Sequence, residues 1–305
     1  MKIFLRLIRI EQLVFIALVQ LIVKYTFLDY ATVQALANWQ YALLVVASLC
    51  IAAGGYIIND IFDVEVDTLN RPNEVYIGTY FSEKTAYDWY FGLNVVGVGI
   101  GFYLSRVVER PSYAAIFIIC SALYYVYSNG LKQIPILGNG IVALLMAINV
   151  LVIGFFDLFP TIYKGNEALV MNLFSISVDY AGMLFLLFFA REILKTIKNK
   201  EGDSQYEITT VATSFGLKKT MLLVSIIIVL LLVFQVYYIV ANLVHMPYVV
   251  AYFIMFMIAP LLFSVFKSIQ AKAQHDCLLV EKLLKIVCIT TIASLTVIIL
   301  VGYRH

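Results

Sequence analysis

The segment "GGYIINDIFDVEVDTLNRP", Gly54–Pro72, closes a long apolar run and holds four acids within eight residues: Asp60, Asp63, Glu65 and Asp67. An apolar helix that ends in concentrated negative charge needs a reason. If the helix continues, each residue advances about 100°, and Asp60, Asp63 and Asp67 fall within about 60° of one another while Glu65 points elsewhere. Carboxylates on one face repel unless a cation lies between them. Hard oxygen ligands suit Mg²⁺, which takes one or two carboxylates together with substrate phosphates. For this segment alone, a solvated acidic loop is the competing explanation.

The rest of the chain sets the environment. Of its 305 residues, 63% are hydrophobic and 13% charged, with a mean hydropathy of +0.94. Soluble domains carry about a quarter charged residues. The excess apolar surface has to face lipid, so the chain is read as an all-α, polytopic membrane protein. Stretches long enough to span a bilayer fall near 11–29, 40–60, 88–106, 113–128, 138–158, 173–192, 219–241, 246–266 and 282–302. The expectation is a bundle of nine transmembrane helices forming one domain over residues 1–305. The fourth span is short and Asn149 interrupts the fifth. The basic, apolar N-terminus lacks a small-residue cleavage site and reads as a retained first span.

Nine spans put the termini on opposite sides. The N-terminal side then collects 16 of the 21 basic residues, and Lys24, Arg106, Arg110, Lys164 and Arg304 fall on the other. The asymmetry orients the N-terminal side, with the acidic segment, to the cytoplasm of a cell inner or plasma membrane. No basic patch stands out as a nucleic-acid surface. Cys50, Cys120, Cys277 and Cys288 form no CxxC pair, and three of them lie inside apolar runs. His245, His275 and His305 are scattered and carry no assigned role. Gly97 and Gly101 form a GxxxG within the third span, which reads as close helix packing. Lys24 is expected to snorkel, and Asp157 lies near a span end, which leaves no charge at mid-membrane and argues against an ion transporter.

A second polar constellation, "REILKTIKNKEGDSQYEITTVAT", follows the sixth span on the same side. On a continuing helix, Thr196, Asn199 and Asp203 lie within about 40° of Glu192. Arg191, Lys195, Lys198 and Lys200 flank that face. Acids interleaved with bases suit a metal-bound diphosphate, the acids holding metal and the bases holding phosphate oxygens. The two constellations lie four spans apart, in the manner of a duplicated half.

These residues resemble the UbiA superfamily of intramembrane prenyltransferases. Asn59, Asp60, Asp63 and Asp67 match its NDxxDxxxD motif, which continues into Asn70-Arg71-Pro72. "REILKTIKNKEGD" resembles the second aspartate motif, in the form R-E-I-I-K-D-I-x-D-x-E-G-D usual in geranylgeranylglyceryl-phosphate synthases. "YSNGLKQIPILGNGIVALL", Tyr127–Leu145, is similar to a Y-S-x-x-L-K-x-x-P-x-x-G-N segment. The likeness spans essentially the whole chain, and nine helices is the family's number. It implies transfer of an isoprenyl (alkyl) group from an isoprenyl diphosphate donor to a membrane-embedded or interfacial acceptor, with Mg²⁺ as cofactor. It further implies Asp60, Asp63, Asp67 and Asp203 as catalytic metal-site acids, supported by Asn59. Lys132, Arg71 and Arg191 would contact diphosphate, and Tyr127 and Ser128 would line the site. Glu192 and Asn199 complete the expected substrate-binding set.

The chain also departs from the pattern. Asn199 and Thr196 stand where the second motif carries acids, and Glu207 replaces a glycine. "NEVYIGT", Asn73–Thr79, lacks the usual basic residue and brings Glu74 near where a cation is expected. An asparagine carbonyl can ligate but carries no charge, so a second metal is expected to bind more weakly unless Glu192 compensates. The second motif leans towards a glycerol-phosphate acceptor. A quinone-precursor (aromatic) prenyltransferase and a catalytically impaired prenyl-lipid-binding paralogue are the alternatives.

Overall fold

The computed structural model describes residues 2–28 and 34–302. Arg304, His305 and the last residue of the first expected span lie outside the described residues. The described chain is helical, connected by short turns. α1 (Lys2–Leu7) leads into α2 (Ile10–Ile22), which continues as a π-helical turn, Val23–Leu28. Then follow α3 (Asn38–Phe62), the short α4 (Val64–Asn70), α5 (Glu83–Val107), α6 (Ala114–Asn129) and α7 (Leu137–Ile153). α8 (Glu167–Lys198), the short α9 (Lys200–Gln205), α10 (Val211–Tyr238), α11 (Pro247–Phe253), α12 (Ala259–Gln270) and α13 (Asp276–Gly302) complete the chain.

Seven helical stretches of the described residues are long and apolar enough to cross a membrane: Asn38–Phe62, Pro111–Asn129, Leu137–Thr161, Glu167–Lys198, Val211–Leu243, Pro247–Gln270 and Asp276–Val301. Backbone groups in lipid must bond within their own segment, which is why such runs are helices. The other two expected spans are also helical but more polar, Ile10–Leu28 with Glu11 and Lys24, and α5 with Glu83, Lys84, Asp88 and Arg106. Asn149 does not interrupt its helix: Nδ2 donates to the Leu145 carbonyl at 2.8 Å and α7 runs through it.

Small residues bring the first helices together. A Cβ on Gly97 would lie 3.1 Å from the Ala47 carbonyl oxygen, and one on Gly101 would lie 2.4 Å from Phe117. The GxxxG therefore seats α5 against both α3 and α6.

Lys24 does not snorkel. Its ammonium lies 2.8 Å from Asp157 Oδ2, and the two side chains are 1% and 0% exposed. Both sit in π-helical turns, Val23–Leu28 and Gly154–Leu158. Lys24 also reaches Gln34 Oε1 at 3.4 Å and lies 4.5 Å from the centre of the Tyr41 ring. Leu36 N–H donates to Asp157 Oδ1 at 2.8 Å. The expectation of a bundle without internal charge is corrected here. Each charge alone would be costly in a dry interior, and the pair is tolerated because neighbouring polar groups complete it. The pair ties α2 to the end of α7 remote from the acidic segments.

Candidate active site

The first acidic segment is not one straight helix. α3 ends at Phe62, Asp63 takes φ −104° and ψ 2°, and α4 restarts at Val64. The Asp67 N–H still donates to the Asp63 carbonyl at 2.8 Å, so the chain bends without losing its ladder. The bend sends the carboxylates to different partners. Arg9 Nη2 donates to Asp60 Oδ1 at 2.7 Å. Lys132 Nζ donates to Asp63 Oδ1 at 2.5 Å, and Asn59 Nδ2 to Asp63 Oδ2 at 2.8 Å. Arg71 Nη2 spans both oxygens of Asp67 at 2.8 and 2.9 Å. The continuous face expected from the sequence is thus divided. Among the described residues, no three His, Cys, Asp or Glu stand close enough together to hold an ion on their own.

The second segment repeats the bend. α8 ends at Lys198, Asn199 takes φ −92° and ψ 2°, and α9 carries Asp203. Glu192 is buried and pairs with Lys195. The Thr196 hydroxyl donates to the Ile193 carbonyl at 2.7 Å, inside its own helix. Arg191 stacks 4.9 Å from the centre of the Phe188 ring, and its buried Nε has no partner.

One side chain joins the two segments. Asn70 Nδ2 donates to Asp203 Oδ1 at 3.2 Å, and Asn70 Oδ1 accepts from the Gly202 N–H at 3.0 Å. A Cβ at position 202 would lie 2.4 Å from Asn70 Oδ1, so the clasp requires glycine there. Asp203 therefore joins Asp63 and Asp67 at one end of the bundle, as the sequence reading requires. Lys132 reaches this end from the turn Leu131–Gln133. Gly138 lets that turn pack closely, since a Cβ there would lie 2.7 Å from the Leu131 carbonyl oxygen. Tyr127 is within electrostatic reach of Glu192, Asp63, Arg9 and Asp203. Ser128 is buried, and its hydroxyl donates to the Tyr124 carbonyl at 2.9 Å.

Three contributors were missed in the sequence: Arg9, Asn70 and Gly202. Arg9 sits between α1 and α2 in a left-handed conformation, φ 50° and ψ 59°, which costs a side-chain-bearing residue about 1–2 kcal/mol. That break sends its guanidinium to Asp60, 5.1 Å from the centre of the Tyr56 ring. In the sequence it counts only as one more basic residue on the N-terminal side. In the sequence Asn70 belongs to the motif's continuation and carries no assigned role.

Burial pushes the Asp203 carboxyl up to about 6; the Asn70 hydrogen bond opposes this, and the Asp63 and Asp67 carboxylates reinforce it. Burial likewise raises Asp67, against the pull of Arg71. Asp203 is buried, makes no ion pair among the described residues and has only the Asn70 amide against its carboxyl, so the place is short of positive charge. Mg²⁺ needs only one or two carboxylates when phosphate oxygens and water complete its shell. Asp60, Asp63 and Asp67 are each matched to a cation and Asp203 only to the Asn70 amide, a donor set that fits a metal–diphosphate better than a bare ion.

A sequence model described as the UbiA prenyltransferase family matches residues 13–287. Curated relatives include the digeranylgeranylglyceryl phosphate synthase of Methanoregula boonei, 33% identical over 59% of this chain and 59% of that protein. The synthase of the same name from Sulfurisphaera tokodaii is 29% identical over 77% of this chain and 75% of its own length. Among solved structures, an apo UbiA homologue from Aeropyrum pernix superposes with a TM-score of 0.64 at 11% identity, covering 100% of this chain and 98% of that one. A UbiA homologue from Archaeoglobus fulgidus bound to DMAPP and Mg²⁺ gives 0.59 at 12% identity, covering 96% and 99%. At these identities the structures speak for the fold alone. The family match covers most of the chain, and the chain belongs to the UbiA prenyltransferase family.

Proposed function

We propose that this chain is an intramembrane prenyltransferase that moves an isoprenyl group from its diphosphate to a glycerol-phosphate-type lipid acceptor, with Mg²⁺. The observation that carries the proposal is the Asn70 clasp, which ties Asp203 to the first acidic segment across 133 residues of sequence. The matched synthases support the acceptor class, and the Mg²⁺-bound homologue supports the cofactor. The reading takes the whole chain as one membrane domain of nine spans. The basic residues gathered around the site's end support a cytoplasm-facing mouth.

In this reading Asp60, Asp63, Asp67 and Asp203 hold the metal–diphosphate. Bound Mg²⁺ would neutralise the negative charge that collects on the departing diphosphate. Lys132, Arg71 and Arg191 contact phosphate oxygens; the unpartnered Arg191 Nε is a donor without an acceptor until an anion arrives. Asn59 holds Asp63 in place, and Tyr127 lines the reacting end. Ser128 acts through the backbone of its own helix. When the allylic C–O bond breaks, the helix walls keep water from the cation-like carbon, and aromatic faces stabilise it. Glu192 and Asn199 are the remaining oxygen donors of the second segment.

The test is mass spectrometry of products from purified protein given prenyl diphosphates of several lengths with glycerol-phosphate and aromatic acceptors and Mg²⁺. Ether-linked prenyl glycerol phosphate is the expected product. Product with aromatic acceptors only would move the assignment to the quinone-precursor type. The Thr196 and Asn199 departures favour one second reading, a prenyl-lipid binder without turnover. Mg²⁺-dependent diphosphate release that disappears in Asp63→Asn excludes it.

A further inference from the structure

Glu192 stands apart from the acids at the bends. Asp60, Asp63, Asp67 and Asp203 all lie within about one turn of a bend. Glu192 lies seven residues before the bend at Asn199, and Tyr56 lies seven residues before the bend at Asp63. Both helices are unbroken over that stretch, so each of the two residues sits about 10 Å further down its helix than the bend. The company differs as well. Asp203 stands among Asn70, Asp63, Asp67 and Arg71. Glu192 is buried and within electrostatic reach of Tyr56, Tyr124 and Tyr127. The Tyr124 ring meets the Tyr56 ring edge to face, their centres 6.5 Å apart. Gly55 admits it, since a Cβ there would lie 2.2 Å from the Tyr124 ring. Lys195 holds Glu192 Oε1, and Oε2 accepts no hydrogen bond among the described residues. A buried carboxylate thus stands among phenols with one oxygen free, one level beneath the metal-site acids.

We infer that Glu192 is the general base of the transfer, the group that takes the acceptor's hydroxyl proton, and not a ligand of the metal. When the allylic C–O bond breaks, its electron pair leaves with the diphosphate. The acceptor hydroxyl oxygen gives a lone pair to the allylic carbon, and the new ether oxygen is cationic until its proton departs. With water shut out by the helix walls, a group within the site has to receive that proton. The diphosphate is held at the bends and the apolar prenyl tail runs inward from them. The reacting carbon is therefore on the deeper side of the diphosphate, towards Glu192 and Tyr56. A carboxylate oxygen is an acceptor only and takes a hydroxyl donor. Lys195 offsets the cost of burying that charge and leaves Oε2 for the hydroxyl. The inference rests on the prenyltransferase reading and adds to it the route of the proton.

The test uses full-length purified protein with Mg²⁺ and geranylgeranyl diphosphate. The acceptor is an alkylglycerol phosphate or its analogue with a thiol in place of the free hydroxyl. At a pH of about 8.5 roughly half of a thiol is already thiolate, so the analogue reacts without a base. In Glu192→Gln, transfer to the hydroxyl acceptor should fall by about 10²–10⁴, the usual effect of a positioned base. Transfer to the thiol acceptor and affinity for Mg²⁺-pyrophosphate should stay at wild-type values. Glu192→Asp keeps the carboxylate and withdraws it by one methylene. It should show the same split with a smaller loss, and it carries the test if the glutamine variant does not fold. Wild-type transfer to the hydroxyl acceptor in both variants overturns the inference, because the departing diphosphate would then take the proton. Equal losses with the two acceptors overturn it too. So does a loss of Mg²⁺-pyrophosphate affinity in Glu192→Asp, which would make Glu192 a metal ligand. A wild type that releases no diphosphate with either acceptor sinks the prenyltransferase reading itself, and that result is seen before any variant is made.

Discussion

The two acidic segments share a backbone and differ in their charges. Each is a long helix, a bend with ψ near 2°, and a short helix of seven or six residues. Aligned on the bend, Asn199 falls opposite Asp63, Asp203 opposite Asp67, and Thr196 opposite Asp60. The first segment thus carries an acid at all three positions, each with its own cation, and the second carries one. The architecture of the site is duplicated, whereas its electrostatics are concentrated on one side. A bend is kept by hydrogen bonding and packing. An acid is kept only where a cation or metal repays its burial.

The largest effect should come from the charged side. Asp63→Asn removes the acid at the bend and frees Lys132, and transfer should fall by about 10²–10³, comparable to deleting one preorganised electrostatic group. Steady-state release of diphosphate measures it, and a drop no greater than that of Asn199→Ala would erase the asymmetry. Asp203→Asn should cost somewhat less activity and leave a second signature. The Asp203 carboxyl is raised to about 6, so the folded state binds the proton more tightly than the unfolded chain does. That carboxyl therefore weakens the fold at neutral pH, and the deficit disappears as pH falls through about 6 towards the ordinary carboxylate range. In chelator, the variant should melt higher than wild type at pH 7.5, and the gain should vanish near pH 4.

Much of this was legible in the sequence because membrane segments and charged motifs write long, simple patterns. Apolar runs gave the helices, and the basic asymmetry put both acidic segments at one end. The bends were not legible. Neither Asp63 nor Asn199 is followed by proline or glycine, so helical spacing ran straight through both and predicted faces that the structure divides. Lys24 and Asp157 illustrate a second limit: one reads as a snorkelling lysine and the other as a residue near a span end, and both sit in π-helical turns that leave no mark in composition. Arg9 shows a third. An arginine one turn before a span reads as orientation signal, and nothing local tells that its backbone turns left-handed to reach Asp60.

The clasp between the halves gives an intermediate effect. Gly202→Ala would set a Cβ 2.4 Å from Asn70 Oδ1, and overpacking of this kind costs about 1–3 kcal/mol. The melting temperature should drop, and the affinity for Mg²⁺-pyrophosphate should drop with it, because Asp203 is positioned through the same amide. Asn70→Ala removes the amide instead of crowding it. It should lower affinity with a smaller loss of stability, which separates positioning from packing.

The smallest expected change is a gain, and it bears most directly on the asymmetry. Asn199→Asp restores the acid opposite Asp63 without altering the bend, because both residue types adopt that backbone here. Unlike Asp63, a new carboxylate at 199 would have no ready cation, since Lys195 already pairs with Glu192. It would therefore raise the demand for metal, not satisfy it internally. The Mg²⁺ concentration for half-maximal turnover should fall several-fold, about 1 kcal/mol of added attraction for one more carboxylate near the ion at an effective dielectric between protein and water. Without metal, the same variant should melt lower than wild type, because the new charge sits near Asp203 with nothing to balance it. The paired outcome matters more than either half. A metal-free loss coupled to a metal-bound gain says that position 199 faces the ion and that the second segment has shed charge it could still use. No shift in either measurement says that the two segments match in backbone alone, and that the catalytic charge belongs to the first.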